Sequence, residues 1–173
     1  MELDFLLALQ QLHNPILDQI MVVITTLGNA GWFFILTGIV LFCIKKTRKT
    51  GVQVLLSLLF SLILCNLILK GLVERMRPCW IMPDIQLLIA NPKDFSFPSG
   101  HTSASVATAI SIYTYHRKYG MIMFGLAIAI AFSRMYLFVH FPTDILGGLF
   151  AGSVSAFCAH QIIKGMQKRK MEE

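Results

Sequence analysis

Long apolar blocks separated by short polar segments run through this sequence. Five of these blocks, at residues 22–44, 52–69, 102–115, 121–132 and 145–163, carry almost no charge. A helix needs about 20 predominantly apolar residues to cross a bilayer, and fewer when flanking side chains snorkel to the interface. The pattern therefore predicts an all-α integral membrane protein, a bundle of five transmembrane helices at residues 32–44, 51–77, 99–115, 121–138 and 142–164.

The first 27 residues follow a different pattern. Residues 3–12 predict an amphipathic helix that is too short to span a bilayer, and Asn14-Pro15 ends it. Residues 16–27 predict a second short helix, which stops at the glycine-containing turn 28–31. We expect both helices to lie at the membrane interface. If residues 3–27 instead cross the membrane, the bundle has six transmembrane helices and the acidic N-terminus is cytoplasmic.

Composition supports one membrane domain. Of the 173 residues, 55% are hydrophobic and 14% are charged, so no soluble domain fits beside the apolar blocks. We divide residues 1–173 into an interfacial segment 1–27, a transmembrane core 31–165 and a basic cytoplasmic tail 166–173. The formal net charge of +6 does not indicate nucleic acid, because the basic residues cluster at helix ends.

Those basic clusters also predict the topology. They lie at residues 45–49, 116–118 and 164–170, and no Lys or Arg precedes Lys45. Loops rich in Lys and Arg stay on the cytoplasmic side of a membrane. We therefore expect a multi-pass protein of the plasma membrane, with an outer N-terminus in the five-helix arrangement. The connection 78–98 and the connection near His140 then both face outside.

Three polar groups lie at those predicted outer ends. In the first, Lys70 and Arg77 are seven residues apart, about two helical turns, and so share one face of a helix. Lys70 alone also fits a snorkelling lysine or a partner of Glu74. In the second, Ser99, Gly100 and a His open a helix, whose free N–H groups suit phosphate. An ordinary Ser cap explains that second group equally well.

The third group is the stretch 133–144. An Arg at the end of an apolar helix needs a partner, and Arg134 is available to bind an anion. Pro142 predicts a helix that begins just after His140. Asp144 then lies where it can hold one imidazole nitrogen and leave the other free, which makes His140 a candidate nucleophile or base. Alternatively, the Arg and the His simply line the membrane interface, and Asp144 is an ordinary residue at a helix start.

Taken together, the three groups resemble the signature of the type 2 phosphatidic acid phosphatase (PAP2) superfamily. That signature is Lys, six residues, Arg-Pro; then Pro-Ser-Gly-His; then Ser-Arg, five residues, His, three residues, Asp. Every position is matched here, by Lys70, Arg77, Pro78, Pro98, Ser99, Gly100, His101, Ser133, Arg134, His140 and Asp144. The resemblance implies a PAP2/haloperoxidase-like helical core.

The resemblance also implies a metal-independent phosphatase that needs no cofactor and works through a phosphohistidine. His140 is then the nucleophile, Asp144 orients it, and His101 protonates the leaving oxygen. The implied phosphate-binding groups are Lys70, Arg77, Ser99, Gly100 and Arg134. From the residues themselves, Asp84 and Asp94 are isolated carboxylates, and no cluster suits a hard metal ion.

We expect a lipid phosphate substrate that reaches the site from the bilayer. Undecaprenyl diphosphate is the first candidate. The second is a glycerolipid phosphate: phosphatidylglycerophosphate, phosphatidate or diacylglycerol pyrophosphate.

Three other classes of protein are alternatives to a membrane lipid phosphatase. They are a soluble relative such as an acid phosphatase or haloperoxidase, an anion transporter or channel, and an inactive binder. The apolar blocks argue against the first, an oriented His140 against the second and the intact signature against the third.

Overall fold

The computed structural model describes residues 1–172, and within that range it contains helices and no strand. The helices are α1 (Glu2–Gln10), α2 (Pro15–Thr26), α3 (Trp32–Cys43), α4 (Arg48–Ser61), α5 (Lys70–Val73), α6 (Pro78–Ile81), α7 (Gly100–Tyr115), α8 (Arg117–Tyr136) and α9 (Pro142–Glu172). A π-helical segment, Leu62–Leu69, joins α4 to α5. The predicted all-α class is confirmed.

Helix α7 lies at the centre of the bundle, packed against α4, α8 and α9. Small residues allow the close approach of α9. A Cβ atom added at Gly148 would lie 2.6 Å from the Ser99 carbonyl oxygen, and one at Gly152 would lie 2.5 Å from that of Ser103. The Ser103 hydroxyl also lies 2.6 Å from the Ser61 hydroxyl on α4. Glycines and hydroxyl pairs of this kind hold helices together in a bilayer.

Within the part of the chain that the structure describes, three segments are long and apolar enough to cross a membrane: Arg48–Ile81, Arg117–Tyr136 and Pro142–Arg169. Helices Pro15–Thr26 and Asn29–Cys43, bent by 45° at their junction, make a fourth if they are counted as one span. Helix α7 has 16 residues, many of them small and hydroxyl-bearing, and its side chains are largely buried within the bundle. Candidate spans confirm a membrane protein, whereas the number of crossings, five or six, stays a prediction.

The second predicted span was wrong at its outer end. Residues 51–77 do not form one helix, because α5 ends at Val73 and Glu74 adopts a left-handed conformation with φ 48°. Arg77 is extended, as expected before a proline, and Pro78 begins α6. Lys70 and Arg77 therefore do not share a helical face. A turn in the backbone brings them to the same place.

The N-terminal helices form close to the predicted positions, and α1 packs on the protein itself. Leu6 and Leu9 are buried against the connection between α8 and α9, in a cluster that contains Tyr136 and Phe138. At the other end of the chain, the predicted tail 166–173 begins within helix α9. Helix α9 continues to Glu172, and residue 173 lies outside the described residues.

Candidate active site

A cavity of about 840 Å³ opens at the end of the bundle where α5, α7 and the α8–α9 connection meet. Its polar end is lined by Lys70, Arg77, Asp94, His101, Arg134 and His140. The cavity continues along an apolar groove between α3 and α4, lined by Ile35, Leu55, Leu58, Leu59 and Leu62. The three polar groups of the sequence thus converge on one site that is continuous with an apolar surface.

The two nitrogen atoms of the His140 ring have different surroundings. Helix α9 begins at Pro142, and the Asp144 Oδ2 atom lies 3.4 Å from Nδ1 of His140. The same oxygen accepts the Phe141 backbone N–H at 2.8 Å, which fixes the carboxylate. The Nε2 atom lies 3.2 Å from Nη1 of Arg77, among the cavity-lining groups. Asp144 therefore faces one nitrogen and leaves the other toward the cavity.

Burial keeps the His140 ring neutral. The residue is 1% exposed. This burial lowers the pKa of His140 well below its usual value, and the positive charges of Arg77, Arg134 and Lys70 lower it further. A histidine acts as a nucleophile only when its imidazole is neutral. The electrostatics of the site therefore suit attack by His140 at neutral pH.

Asp94 bridges the two cations of the first polar group, a pairing that the sequence did not predict. Its carboxylate pairs with Lys70 and accepts a hydrogen bond from Nη2 of Arg77 at 2.9 Å. Burial acts to raise the pKa of Asp94, but Lys70 and Arg77 outweigh it and lower that pKa to about 2. Asp94 therefore stays ionised, and an incoming phosphate competes with it for the same cations.

Arg134 reaches the site from the last turn of α8. Its Nη1 donates to the Thr25 hydroxyl at 2.7 Å. Its Nε is buried and has no hydrogen-bond partner within the described part of the chain. A buried guanidinium N–H without a partner is costly unless an anion accepts from it. Arg134 is therefore suited to bind one oxygen of a phosphate.

The start of α7 contributes Gly100 and His101 to the cavity lining, but not Ser99. The Ser99 hydroxyl is fully buried and caps the helix by accepting from the Thr102 backbone N–H at 3.4 Å, and it also accepts from the Thr102 hydroxyl at 3.0 Å. Its predicted contact with phosphate stays a prediction. His101 Nε2 lies 3.1 Å from Oδ1 of Asn29. Gly28 allows this approach, since a Cβ atom there would lie 2.4 Å from Cδ2 of His101.

Sequence reasoning missed several residues that contact the predicted catalytic and phosphate-binding groups directly or, for Glu2, through Arg75. These are Glu2, Thr25, Asn29, Arg75, Asp94 and Ser96. The only signal for Arg75 was its position inside the first polar group, and for Ser96 its place just before the second. The first three lie in the N-terminal segment, where no motif marks them.

Comparison with known proteins identifies the family. The sequence model of the PAP2 superfamily matches residues 50–168. Undecaprenyl-diphosphatase BcrC of Bacillus subtilis (strain 168) is 33% identical over 84% of this chain and 74% of its own length. Phosphatidylglycerophosphatase B of the same organism is 33% identical over 91% of this chain and 79% of its own length.

A solved structure agrees with these sequence relatives. The crystal structure of Aquifex aeolicus LpxE superposes with a TM-score of 0.80 at 25% identity, covering 92% of this chain and 94% of that protein. The superposition extends to the N-terminal segment that the family model leaves out. Since the family match covers most of the chain and contains all three polar groups, this protein belongs to the PAP2 superfamily and is a membrane lipid phosphatase.

Proposed function

We propose that this lipid phosphatase hydrolyses undecaprenyl diphosphate at the outer face of the plasma membrane, through a phosphohistidine intermediate and without a metal ion. One observation carries the proposal. The cavity joins a polar end with Lys70, Arg77, Arg134 and two histidines to an apolar groove between α3 and α4. A lipid diphosphate matches both parts, with its charge at the polar end and its chain along the groove.

In the first step, Nε2 of His140 attacks the terminal phosphorus atom. A P–N bond forms while the P–O bond to the remaining lipid monophosphate breaks. His101 gives a proton to the departing oxygen. Asp144 accepts a hydrogen bond from Nδ1–H of His140 and so stabilises the His140 ring as that ring becomes positively charged. The 3.4 Å separation between Asp144 Oδ2 and His140 Nδ1 supports this role for the carboxylate.

The transferred phosphoryl group needs positive charge and fixed donors more than it needs covalent chemistry. Lys70, Arg77 and Arg134 supply the charge, and the Gly100 N–H with the Ser99 hydroxyl adds donors at the start of α7. To bind there, the phosphoryl oxygens replace the Asp94 carboxylate on Lys70 and Arg77. Among residues 1–172, no three His, Cys, Asp or Glu side chains cluster as metal ligands do.

In the second step, water hydrolyses the phosphohistidine. His101, which lost its proton in the first step, now takes one from the attacking water. The P–N bond breaks, His140 returns to its neutral form, and inorganic phosphate leaves. The net reaction consumes one water and converts the lipid diphosphate to lipid monophosphate and phosphate.

The outer-face location is supported by the distribution of basic residues. Helices α4 and α8 both begin at the end of the bundle opposite to the cavity, and there Lys49 lies 5.4 Å from the ring centroid of Tyr115. The loops at that end carry the basic clusters 45–49 and 116–118. Since such loops stay cytoplasmic, the catalytic end faces outside.

A glycerolipid phosphate is the second candidate substrate. The similarity to phosphatidylglycerophosphatase B supports it. So do the carboxamides of Asn66 and Asn91, which line the cavity and are suited to hydrogen-bond glycerol hydroxyl groups.

The test is phosphate release by detergent-solubilised protein in the presence of EDTA. Undecaprenyl diphosphate, phosphatidylglycerophosphate and phosphatidate are compared as substrates, with the His140→Ala variant alongside. We expect release that survives EDTA and falls by about 10³-fold or more in the variant, since loss of a nucleophile removes the covalent path. A phosphoryl group trapped on wild-type protein is expected to be acid-labile and alkali-stable.

Three results would contradict parts of the proposal. Inhibition by EDTA would indicate a metal. Release that His140→Ala leaves unchanged would remove the phosphohistidine. No release from any of the three lipids would favour an anion transporter or binder. The ranking of kcat/KM among the lipids decides between the two substrate classes.

A further inference from the structure

The carboxylate that orients the nucleophile is itself held by a charged residue outside the signature. Asp144 is fully buried. Its Oδ2 atom accepts from the Ser96 hydroxyl at 2.5 Å and from the Phe141 N–H at 2.8 Å, and it lies on the His140 side. Its Oδ1 atom accepts from Nη1 of Arg75 at 2.7 Å. Of these donors, Arg75 is the one that is permanently charged.

Arg75 is held in its turn by contacts of both terminal nitrogen atoms and of the face of its guanidinium group. Nη2 donates to Oε2 of Glu2 at 2.6 Å, and Nη1 also donates to the Thr143 hydroxyl at 2.5 Å. The plane lies over the Phe141 ring, 4.1 Å from its centroid. The Arg75 backbone oxygen accepts from the Ser96 N–H at 2.8 Å. Together these contacts favour the guanidinium orientation in which Nη1 faces Asp144.

Glu2 connects this arrangement to the start of α9. Its Oε1 atom accepts from the Thr143 backbone N–H at 3.0 Å and from the Thr143 hydroxyl at 2.7 Å. An acidic side chain at a helix N-terminus is stabilised by the free N–H groups there. Glu2 therefore fixes Arg75 and the first turn of α9 together, and Asp144 belongs to that turn.

Arg75 does not line the cavity, and it contacts the Asp144 oxygen that faces away from His140. It is thus separated from the position of the phosphate by Asp144 itself. An exposed Arg–Glu pair alone contributes little in a protein. The buried end of this network is different, because a buried carboxylate needs compensation by charge and hydrogen bonds.

We propose that Arg75, held by Glu2, is a positioning residue that fixes the Asp144 carboxylate against Nδ1 of His140 and so keeps Nε2 directed at the phosphorus atom. The inference rests on the proposed phosphohistidine mechanism. It concerns catalysis through Asp144, and it assigns to Arg75 no contact with substrate.

The experiment measures kcat and KM for undecaprenyl diphosphate in detergent for Arg75→Gln, Arg75→Lys and Glu2→Gln. Arg48→Gln is the matched control, since Arg48 lies at the opposite end of the bundle and bonds the Phe42 carbonyl oxygen. We expect kcat to fall by about 10- to 100-fold in Arg75→Gln, because small displacements of a reacting group cost this much. KM stays within about twofold of the wild type, since in the proposed mechanism Arg75 does not touch the lipid.

The other variants sharpen the result. Arg75→Lys restores part of kcat because the charge remains, while Glu2→Gln lowers kcat only by a few fold. Arg48→Gln leaves both constants unchanged. If Arg75→Gln does not fold, Arg75→Lys and Glu2→Gln carry the same comparison at smaller amplitude.

A double-mutant comparison identifies the route of the effect. In an Asp144→Asn background, Arg75→Gln is expected to cause no further loss, because residues that act as one unit are not additive. Fully additive losses, or a rise in KM at unchanged kcat, would overturn the positioning role. Wild-type kcat in Arg75→Gln together with an inactive His140→Ala would overturn this inference alone, whereas an active His140→Ala would overturn the mechanism on which it rests.

Discussion

Two regions of the molecule build the candidate site, and they differ in how visible they are in the sequence. Residues 50–168 match the family model and contain every residue of the signature. Residues 1–31 lie outside that match and contain no motif, yet they contact two cavity-lining residues and the arginine that binds Asp144. Glu2 binds Arg75, Thr25 binds Arg134 and Asn29 lies against His101.

The difference separates reacting groups from the groups that hold them. A phosphoryl transfer needs particular chemical groups at particular spacings, so the reacting residues leave a recognisable pattern. A hydrogen-bond partner can be any group of suitable size that arrives at the correct place. The N-terminal segment thus acts as part of the site although its sequence pattern predicts only two short helices.

The largest expected difference in kcat between variants of the two regions is that between Arg134 and its N-terminal partner, Thr25. We expect Arg134→Gln to lower kcat by about 10²–10³-fold, as removal of one preorganised donor to a transition state does. Thr25→Val, which keeps the shape and removes only the hydroxyl, should lower kcat by about 3- to 10-fold by freeing the guanidinium. Steady-state kinetics on the purified variants measure both, and equal losses would contradict the division between the regions.

A smaller loss of kcat is expected at Gly28, which makes room for the His101 ring because it has no side chain. In Gly28→Ala the new methyl group meets the His101 ring, so the ring must move, and we expect kcat to fall by about 10- to 100-fold. Gly125→Ala on α8 is the matched control, because a Cβ atom there has no neighbour within 4 Å. Wild-type kcat in Gly28→Ala would show that His101 tolerates displacement and would weaken its assignment as the acid.

The smallest expected effect is a change of thermal stability with pH, and it comes from His140, which lies in the region that matches the family model. The folded state lowers the pKa of His140, so the unfolded chain binds its proton at higher pH than the folded chain does. The stabilisation from neutral His140 is therefore complete above about pH 6.5 and is lost as the pH falls below it. We expect the apparent Tm in detergent to fall by about 3–6 °C between pH 7 and pH 5 from this group.

The control for this measurement is His140→Gln, whose side chain does not titrate. Its apparent Tm should fall less over the same interval, whatever its absolute stability. An identical slope in both proteins would mean that His140 does not lose a proton on folding. That result would remove the electrostatic argument for a neutral nucleophile without changing the geometry of the site.

Predictions from the sequence succeeded where a local rule applied. The start of α9 at Pro142 follows from the conformational restriction of proline, and the start of α7 from a Ser followed by a helical run. The prediction that the second span ends at Arg77 was wrong because Glu74 adopts a left-handed conformation, which a glutamate does not require. The pairing of Asp94 with Lys70 and Arg77 was not predicted, because 24 and 17 residues separate it from them along the chain.

The sequence by itself determined the helical membrane class and the family, and it supplied the proposed set of reacting residues, because hydropathy and motif spacing are properties of the chain. Only the tertiary structure decided which groups hold the reacting residues. The contacts from Arg75 to Asp144, from Thr25 to Arg134 and from Asn29 to His101 join positions 69, 109 and 72 residues apart. Contacts over such separations depend on how helices pack, and no local rule of sequence encodes that packing.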